Sequence, residues 1–512
     1  MAPSSARPRF EPSPCQITGI RSPKLQDEVS GDNWVPLIAC PANFPVQVFE
    51  IATSQLIHHP EYNSTLILRS ETLLDITDTA AFPTTLPSLQ NYHKSRCIHR
   101  KLLPRRPGRD APLEQYCTLY RDAEEHLTDT DSSPTVLVLT PISTPESPLP
   151  YYHPTVSHLA FRYLQEGDEG ILRIEIVPLP NTSLDPNARL YRTCLALLDT
   201  LHRYGWGAMT NYQKRVQHDV LVPREEYQDL YLIMRERHKG LIDSWQEVTD
   251  PLKHVFEDIG IATYLMLLWK KTFTAEDSTG DEVDENEPWR RWPRPPGGFI
   301  DFGCGNGLLT HILISEGYQG YGIDVRARAS WPSYPPPTQE ALQVHAFDPT
   351  SSPSSTYFPP GVFIIANHAD ELTPWTPVIS TLYSATGYLS IPCCAWTFDS
   401  RYERSSTLPY SLPGDESSDD FTRKLNLGGD GSNSSSYSMY RVWLATLSVH
   451  CGWEVECEVL RIPSTRNWAI VGRRRLESVK HGLASENVEN ILRLVRERGI
   501  FKPRQPEGKG GH

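Results

Sequence analysis

The sequence predicts an α/β protein whose C-terminal half is a doubly wound, mostly parallel sheet and whose N-terminal half is an α+β region. From residue 298 onward, short apolar segments typical of strands alternate with segments of helical periodicity, as they do in parallel β-α-β units. The segment FIDFGCGNG at 299–307 joins an apolar strand to a helix-like segment through alternating glycines. A strand, a glycine-rich turn and a helix in this order bring bare backbone against a ligand.

The predicted sheet consists of a parallel part and a closing part. Parallel strands are expected at 298–302, 320–324, 341–347, 362–367 and 387–392. A helix is expected at 441–453, and antiparallel closing strands are expected at 453–462 and 467–474.

Upstream of this sheet, β-branched content and alternation predict strands at 135–141 and 171–179. Apolar residues at spacings of three and four then predict helices at 190–205, 225–248 and 253–273. The last of these helices should begin after Asp250 and Pro251, an acidic cap followed by the residue best tolerated in a first helical turn.

Composition shifts along the chain divide it into five parts. These are a Pro-rich irregular extension with a basic segment (1–130), an α+β substrate-binding region (131–275), an acidic linker (276–290), a cofactor-binding domain (291–475) with a flexible insertion (405–438), and a C-terminal helix with a polar tail (476–512).

Composition also limits the class of protein. No apolar segment approaches the length of a membrane span, and the N-terminus lacks the apolar core of a signal peptide, so we expect a cytoplasmic protein. The ten cysteines form no C-x2-C pair, so we expect no metal site. A net charge of −13 argues against general binding of polyanions, although local basic segments remain.

The spacing of the glycines indicates which cofactor the loop binds. A dinucleotide loop has the pattern G-x-G-x-x-G, which brings a helix N-terminus to a pyrophosphate. Here the loop has the pattern D-x-G-x-G-x-G, which packs beside the amino-acid and ribose parts of S-adenosylmethionine. The predicted cofactor contacts in this loop are Asp301, Gly303, Cys304, Gly305, Asn306 and Gly307.

Further polar residues follow the next predicted strands. Asp324 ends the second strand, where a carboxylate can accept hydrogen bonds from both ribose hydroxyls. Asp348 ends the third and is expected to meet the adenine edge, and Asn367 ends the fourth as a further cofactor contact. These acids favour a methyltransferase over the alternative that the glycines form an ordinary turn.

The loop after the fourth strand should lie near the transferred methyl group. It carries His368, Asp370 and Glu371, which are candidates for accepting a proton from a hydroxyl nucleophile, and Trp375, which could stack on a nucleobase. The alternative is a helix N-terminus in which the acids only favour the helix dipole. The chain lacks an NPPY-type loop for exocyclic amines, which leaves an oxygen nucleophile as the best choice.

A second cluster lies on the helix after Pro251, where His254, Glu257 and Asp258 share one face. These residue types could form a metal or acid/base site. A histidine with carboxylates three and four residues later more often forms a hydrogen-bonded helix surface, and that interpretation is favoured here.

Together these segments resemble the eukaryotic tRNA (uridine-44 2′-O)-methyltransferases that act on serine tRNA. The resemblance rests on FIDFGCGNGLLTHIL, GYGIDVRAR, IIANHADELTPWTPVI, LSIPCCAWTFDSRY and LRIPSTRNWAIVG, and upstream on RKLLPRRPGRDAPLEQYC, YYHPTVSHLAF, YQKRVQHDVLVP and DPLKHVFEDIGIATYLMLLW. It implies a class I, Rossmann-like S-adenosylmethionine-dependent methyltransferase fold, S-adenosylmethionine as cofactor, and the ribose of a uridine in tRNA-Ser as target.

The resemblance also gives the basic residues a role as phosphate contacts. The expected tRNA contacts, besides Trp375, are Lys101, Arg105, Arg106, Lys214, Arg215, Arg326, Arg328, Arg461 and Arg466. An accessory tRNA-binding protein is a further possible partner. Two other functions stay open at this point: a methyltransferase of the same fold acting on a protein or small molecule, and a non-catalytic tRNA-binding protein.

Overall fold

The computed structural model describes residues 7–15, 23–29, 31–123, 133–144, 148–212, 216–274, 286–348, 357–405, 410–412, 417–428, 435–476 and 481–502. The chain forms two compact units, Met1–Gln213 and Lys214–His512. No helix in the described ranges combines the length and the apolar composition that crossing a bilayer requires.

The first unit is built on an eight-stranded antiparallel sheet of spatial order β1-β2-β8-β7-β6-β5-β4-β3. Its strands are β1 (Ser13–Pro14), β2 (Val35–Pro41), β3 (Ile67–Ile76), β4 (Tyr92–Pro104), β5 (Leu113–Asp122), β6 (Val136–Pro141), β7 (Val156–Glu166) and β8 (Glu169–Pro178). Two helices, α1 (Phe49–His58) and α2 (Arg189–Met209), pack on this sheet. Phe49, Leu198 and Phe161 lie in the core between them, with side chains removed from water.

Residues 1–130 were predicted to form an irregular extension, but strands β1 to β5 and helix α1 lie there. Strand β4 shows why the pattern was missed. Ile98, Arg100 and Leu102 alternate inward and are all buried, so a charged residue interrupts the apolar alternation. The Arg100 guanidinium donates to Gln115 Oε1 at 3.1 Å and to the Leu56 carbonyl oxygen at 3.0 Å, which compensates its burial.

The boundary between the units also differs from the predicted division. The region 131–275 was expected to form one substrate-binding part. Strands β6 to β8 and helix α2 instead complete the sheet and core of the first unit, and the chain after Lys214 belongs to the second unit. The physical reason is that the antiparallel ladder of β5 with β6 continues the N-terminal strands directly.

The second unit is built on a seven-stranded sheet of spatial order β11-β10-β9-β12-β13-β15-β14. Its strands are β9 (Phe299–Phe302), β10 (Gly320–Asp324), β11 (Leu342–Val344), β12 (Phe363–Asn367), β13 (Gly387–Ile391), β14 (Glu456–Val459) and β15 (Trp468–Gly472). Strands β9 to β13 are parallel to one another, whereas β15 runs antiparallel to both β13 and β14. The predicted parallel and closing strands are therefore confirmed, with β11 ending earlier than expected.

Helices cover both faces of this sheet. They are α3 (Arg224–His238), α4 (Pro251–Thr272), α5 (Leu308–Ser315), α6 (Pro336–Ala341), α7 (Trp375–Leu382), α8 (Ser418–Lys424), α9 (Ser436–His450) and α10 (His481–Arg498). The apolar side chains of α4 and α5 form one core with Phe299 and Phe363, and those of α7, α9 and α10 form another with Ile300 and Ile364. Consecutive residues of one strand thus pack into cores on opposite faces of the sheet, because side chains alternate between the two faces along a strand.

One buried carboxylate links three segments of the second unit. The Glu316 side chain, 0% exposed, accepts hydrogen bonds from His238 Nε2 at 2.6 Å and Arg237 Nε at 2.9 Å at the end of α3. It also accepts one from Trp289 Nε1 at 2.7 Å. Burial alone would raise the pKa of this carboxyl, but the bonds from His238 and Arg237 outweigh it and lower the pKa to about 2.

We predict that Glu316→Gln destabilises the protein by about 3 kcal/mol, because it removes the charge of a buried acceptor that His238, Arg237 and Trp289 share. The carboxyl pKa is lower in the folded state than its ordinary value of 4.5, so the stabilisation is present above that pH and is lost as pH falls toward about 2. Denaturant unfolding at several pH values should show this acid loss in the wild type and a weaker one in the variant. Equal stability of the two proteins at pH 7 would contradict the assignment.

Candidate active site

A cavity of about 670 Å³ opens at the carboxyl ends of β9, β10 and β12, within the second unit. The loops that follow these strands line it, together with the first turns of α4 and the segment 464–466 after β14. This volume suits a nucleoside-sized ligand. The position is where open parallel sheets bind ligands, because neighbouring parallel strands end at the same edge.

The glycine-rich loop after β9 forms one wall of the cavity. Gly305 adopts φ +54°, a left-handed conformation that favours glycine, and a side chain there would meet no protein atom within 4 Å. Its backbone N–H donates to Asp324 Oδ2 at 2.9 Å. At Gly307, with φ +76°, a Cβ atom would come within 2.7 Å of Leu342 Cδ1, so the loop also packs too closely for a side chain.

Side chains of the segment 330–334 donate hydrogen bonds to two carbonyl groups of this loop. Trp331 Nε1 donates to the Gly305 carbonyl oxygen at 2.9 Å. Ser330 Oγ and the Tyr334 hydroxyl donate to the Asn306 carbonyl oxygen at 2.8 and 3.1 Å. The Asn306 side chain forms a local turn before α5, since its Oδ1 accepts from the Leu308 N–H at 2.9 Å. Asn306 therefore shapes the loop, and sequence reasoning missed the three residues that fix it.

Two of the predicted cofactor acids lie beside the loop in different environments. Asp301 is buried and accepts a hydrogen bond from Thr310 Oγ1 at 2.9 Å; burial, with the Asp324 charge, raises its pKa to about 7. Asp324 ends β10 and accepts from the N–H groups of Gly305 and Arg326. Cys304 is buried under the loop, where burial raises the pKa of its thiol well above the ordinary value.

Asp348 is placed differently from the prediction. Strand β11 ends at Val344, and the residues that line the cavity after it are His345, Ala346 and Phe347. Asp348 follows them and does not line the cavity. Because the strand stops three residues before the predicted end at 347, His345 and Phe347 occupy the place expected for the acid.

The loop after β12 brings the predicted titratable residues to the opposite wall. His368 and Asp370 have φ +52° and +46°, so the backbone makes two left-handed turns that are costly for these residues and are typical of functional sites. His368 Nε2 lies 3.2 Å from Glu257 Oε1. Asp370 Oδ1 accepts a hydrogen bond from Cys393 Sγ at 3.2 Å. Glu371 also lines the cavity.

Helix α4 supplies residues to the cavity lining, although their sequence pattern favoured an ordinary helix surface. As predicted, the helix begins at Pro251, with the Asp250 side chain accepting from the Leu252 N–H. Lys253, His254, Glu257 and Asp258 then line the cavity. The shared face of these residues was visible in the sequence, but its direction was not. That face is set by packing of the rest of the helix on the sheet.

Trp375 does not form a wall for a nucleobase. Its side chain is 0% exposed, its Nε1 donates to the Phe398 carbonyl oxygen at 3.2 Å, and its ring packs on Phe398. It begins α7 on the side that faces the sheet, so burial of its large apolar surface determines its position.

The predicted basic contacts separate into several groups. Arg326, Arg328 and Arg466 line the cavity, as do the unpredicted Lys253 and Lys502. Arg461 instead forms two hydrogen bonds to Asp219, at 2.7 and 2.5 Å, and does not line the cavity.

The other predicted contacts lie away from this cavity. Lys101, on β4, and the exposed Arg105 and Arg106 belong to the first unit. Lys214 and Arg215 lie outside the described residues.

Asp370, Cys393 and Cys394 have donor atoms within 4.8 Å of one another at the cavity edge. Their contact is explained by hydrogen bonding, since the Cys393 thiol donates to the Asp370 carboxylate. Burial, and then the Asp370 charge, raises the pKa of the Cys393 thiol above its ordinary value, so it keeps its proton at neutral pH.

The chain is similar to known proteins over nearly its whole length. Residues 12–215 match the family model described as "TRM44-like, N-terminal bet v1-like domain", and residues 221–284 and 289–349 match "Predicted AdoMet-dependent methyltransferase". A protein named tRNA (uracil-O(2)-)-methyltransferase from Neurospora crassa is 32% identical, covering 96% of this chain and 98% of its own. Proteins of the same name from Schizosaccharomyces pombe and Saccharomyces cerevisiae are 33% and 28% identical, covering 89% and 87% of this chain and 88% of each relative.

We predict that Gly305→Arg abolishes binding of S-adenosylmethionine, because the new side chain would project from the left-handed position into the cavity. Asp324→Ala should weaken binding by about 10- to 100-fold, since it removes a charged hydrogen-bond acceptor. Isothermal titration with the cofactor measures both effects.

Gly240→Arg is the matched control, since this exposed glycine lies in the same unit, outside the cavity, with no atom within 4 Å of an added Cβ. It should bind as the wild type does. Unchanged affinity in both Gly305→Arg and Asp324→Ala would show that the ligand does not lie against this loop.

Proposed function

Because the chain belongs to the tRNA (uracil-O(2)-)-methyltransferase family, we propose that it transfers a methyl group from S-adenosylmethionine to the ribose 2′-oxygen of a uridine in tRNA. The observation that carries this proposal is the cavity in which the glycine-rich loop, Asp324 and the His368 loop meet at one sheet edge. We further propose uridine 44 of tRNA-Ser as the target and the cytoplasm as the compartment, in keeping with the motifs that the sequence shares with the uridine-44 enzymes.

The strand order supports a class I, Rossmann-like fold for the second unit. Strands β9 to β13 are parallel, the order reverses between β9 and β12, and an antiparallel β15 lies between β13 and β14. Helices lie on both faces, as in a doubly wound sheet. The reversal between β9 and β12 is where such a sheet opens a crevice, and the cavity lies there.

The residues of the cavity fit S-adenosylmethionine. The open space over Gly305 leaves room for a ligand against the backbone, and Asp324 is available to the ribose hydroxyls. Asp258 and Asp301 provide two carboxyl groups in the cavity lining, and a cationic cofactor beside them would favour their charged forms. His345 and Phe347, after β11, flank the position expected for the adenine. No phosphate-binding lysine is needed, because this cofactor carries no phosphate.

The cavity lining also carries basic groups. Lys253, Arg326, Arg328, Arg466 and Lys502 line the same cavity as the carboxyl groups. The Arg466 guanidinium lies 3.8 Å from the centre of the Tyr437 ring, a cation–π contact that holds it in place. We assign these cations to the phosphates that flank the target nucleotide.

Methylation of a hydroxyl requires that its proton be removed as the new O–C bond forms. The bound cofactor supplies an electrophilic methyl group on a sulfonium. The chain supplies the acceptor for the proton, and His368 and Asp370 are the candidates on the wall after β12. Glu257 orients the His368 ring, whereas Asp370 already accepts the Cys393 S–H. This difference favours His368.

The first unit is assigned to tRNA binding outside the cavity. Arg96 and Arg100 of its basic strand are occupied by Asp75 and Gln115, so they serve the fold. Arg105 also donates to the Ile67 carbonyl oxygen, through Nε at 3.0 Å. Lys101, Arg105 and Arg106 stay the predicted phosphate contacts of this unit. Lys214 and Arg215 remain sequence-based candidates for the same role.

The function is tested by incubating the purified protein with methyl-labelled S-adenosylmethionine and unmodified tRNA-Ser, followed by nuclease mapping of the product. We expect 2′-O-methyluridine at position 44 and no label in a tRNA of another acceptor type. Label in a protein or small molecule alone would support a different methyltransferase. RNA binding without any transfer would support a non-catalytic role.

We predict that His368→Asn lowers kcat by about 100-fold or more, since it removes the proton acceptor, while binding of S-adenosylhomocysteine stays unchanged. Asp370→Asn should cause a smaller loss, because this carboxylate is already hydrogen bonded. Single-turnover methylation of tRNA-Ser measures both, with the exposed Asp243→Asn as the control variant. Full turnover in both loop variants would show that the loop is structural only.

A further inference from the structure

Asp258, on helix α4, shares a helix face with His254 and Glu257 that the sequence pattern favoured as an ordinary surface, yet it lines the cavity. Its side chain belongs to the buried part of the helix, with 8% of the residue exposed. Its Oδ1 accepts a hydrogen bond from Asn367 Nδ2 at 3.3 Å. A helix that precedes β9 in the chain thus contacts the last residue of β12.

The Asp258 carboxyl group has acidic neighbours but no basic partner among the described residues. Asp301 and Glu257 are the acids that act on it, and Glu257 is paired with His368. In the described part of the chain, neither Asp258 nor Asp301 forms an ion pair with a lysine, arginine or histidine side chain. Burial, then the charges of Asp301 and Glu257, raises the pKa of Asp258 well above its ordinary value. Such a site gains free energy when a cation enters it.

Asn367 adds a neutral acceptor at the same place. Its Nδ2 is used by Asp258, and its Oδ1 is buried without a hydrogen-bond partner. A buried acceptor without a partner costs free energy that a donor from a ligand would recover. The pair therefore offers a carboxylate and a carbonyl oxygen, both suited to N–H donors of one cationic group.

The position of this pair in the sheet indicates which part of a ligand it meets. Strand β9 lies between β10 and β12, so Asp324 and Asn367 end strands on opposite sides of the glycine-rich loop. Gly303 lies next to the β12 side, since a Cβ there would approach Ala369 Cβ to 3.4 Å. With the ribose at Asp324, the methionyl end of the cofactor lies toward Asn367 and Asp258.

We propose that Asp258 and Asn367 bind the ammonium group of the methionyl part of S-adenosylmethionine. The inference rests on the cofactor assignment made under the proposed function. It adds a recognition residue from α4, outside the glycine-rich loop, that selects for a ligand with a primary amine. Two acceptor groups from different elements fix the direction of the ammonium, and so the direction of the methionyl chain across the loop.

The test compares two ligands that differ only in this group, S-adenosylhomocysteine and its deamino analogue. Neither carries the sulfonium, so the comparison isolates the amine. We expect wild-type protein to prefer S-adenosylhomocysteine on the order of 10- to 100-fold by isothermal titration. Asp258→Asn should reduce this preference on the order of 10-fold or more, by weakening S-adenosylhomocysteine and leaving the analogue unchanged. Asn367→Ala should act in the same direction.

Controls separate recognition from folding. Asp324→Ala should weaken both ligands equally and keep the preference, because it acts on the ribose that they share. Asp258→Asn should not lower the melting temperature of the ligand-free protein, since it replaces a buried carboxyl group among acidic neighbours by a neutral amide of similar size. An unchanged preference in Asp258→Asn and Asn367→Ala would overturn the inference while leaving the proposed function intact. Failure of the wild type to bind either ligand would overturn the cofactor assignment with it.

Discussion

The hydrogen bond from the Gly305 N–H to Asp324 is the contact on which the cavity depends. It forms because β9 and β10 are adjacent and parallel, so that the loop after one strand reaches the terminal carboxylate of the other. Trp331 and Ser330 hold the loop carbonyls from behind, which leaves the other side of the loop to a ligand. A loop held by these hydrogen bonds keeps its shape without a ligand and loses little conformational freedom when one binds.

The cavity lining combines acidic and basic groups. Asp258, Asp301 and Asp324 come from three elements that converge there, and the basic lining includes Lys253 and Arg466. A single net charge for the chain, −13, conceals this combination. A cationic cofactor and an anionic nucleic acid can therefore be accommodated at one site, each against the opposite charge.

The sequence could predict the parallel sheet of the second unit because apolar strands and helical segments alternate there with little interruption. It could not predict the sheet of the first unit, because strand β4 places Arg100 in the buried row. The cavity could be predicted at Gly305, Asp324 and His368, which directly follow strands. Asp258 and Trp375 could not be assigned, because the directions in which α4 and α7 face are set by distant packing. Asp348 was predicted to contact the cofactor because the third strand was expected to end at residue 347, whereas β11 ends at Val344.

The position of β15 between β13 and β14 affects the order in which the protein can be completed during synthesis. The glycine-rich loop, Asp324 and the His368 loop have all left the ribosome before residues 468–472 are made. Until then β13 has an unpaired edge, and β14 has no partner in the sheet. A chain that ends before this strand would hold every residue of the glycine-rich loop and still expose an aggregation-prone strand edge. Completion of the sheet, and with it the lifetime of the nascent protein, thus depends on a segment that is made after the residues of the cavity loops.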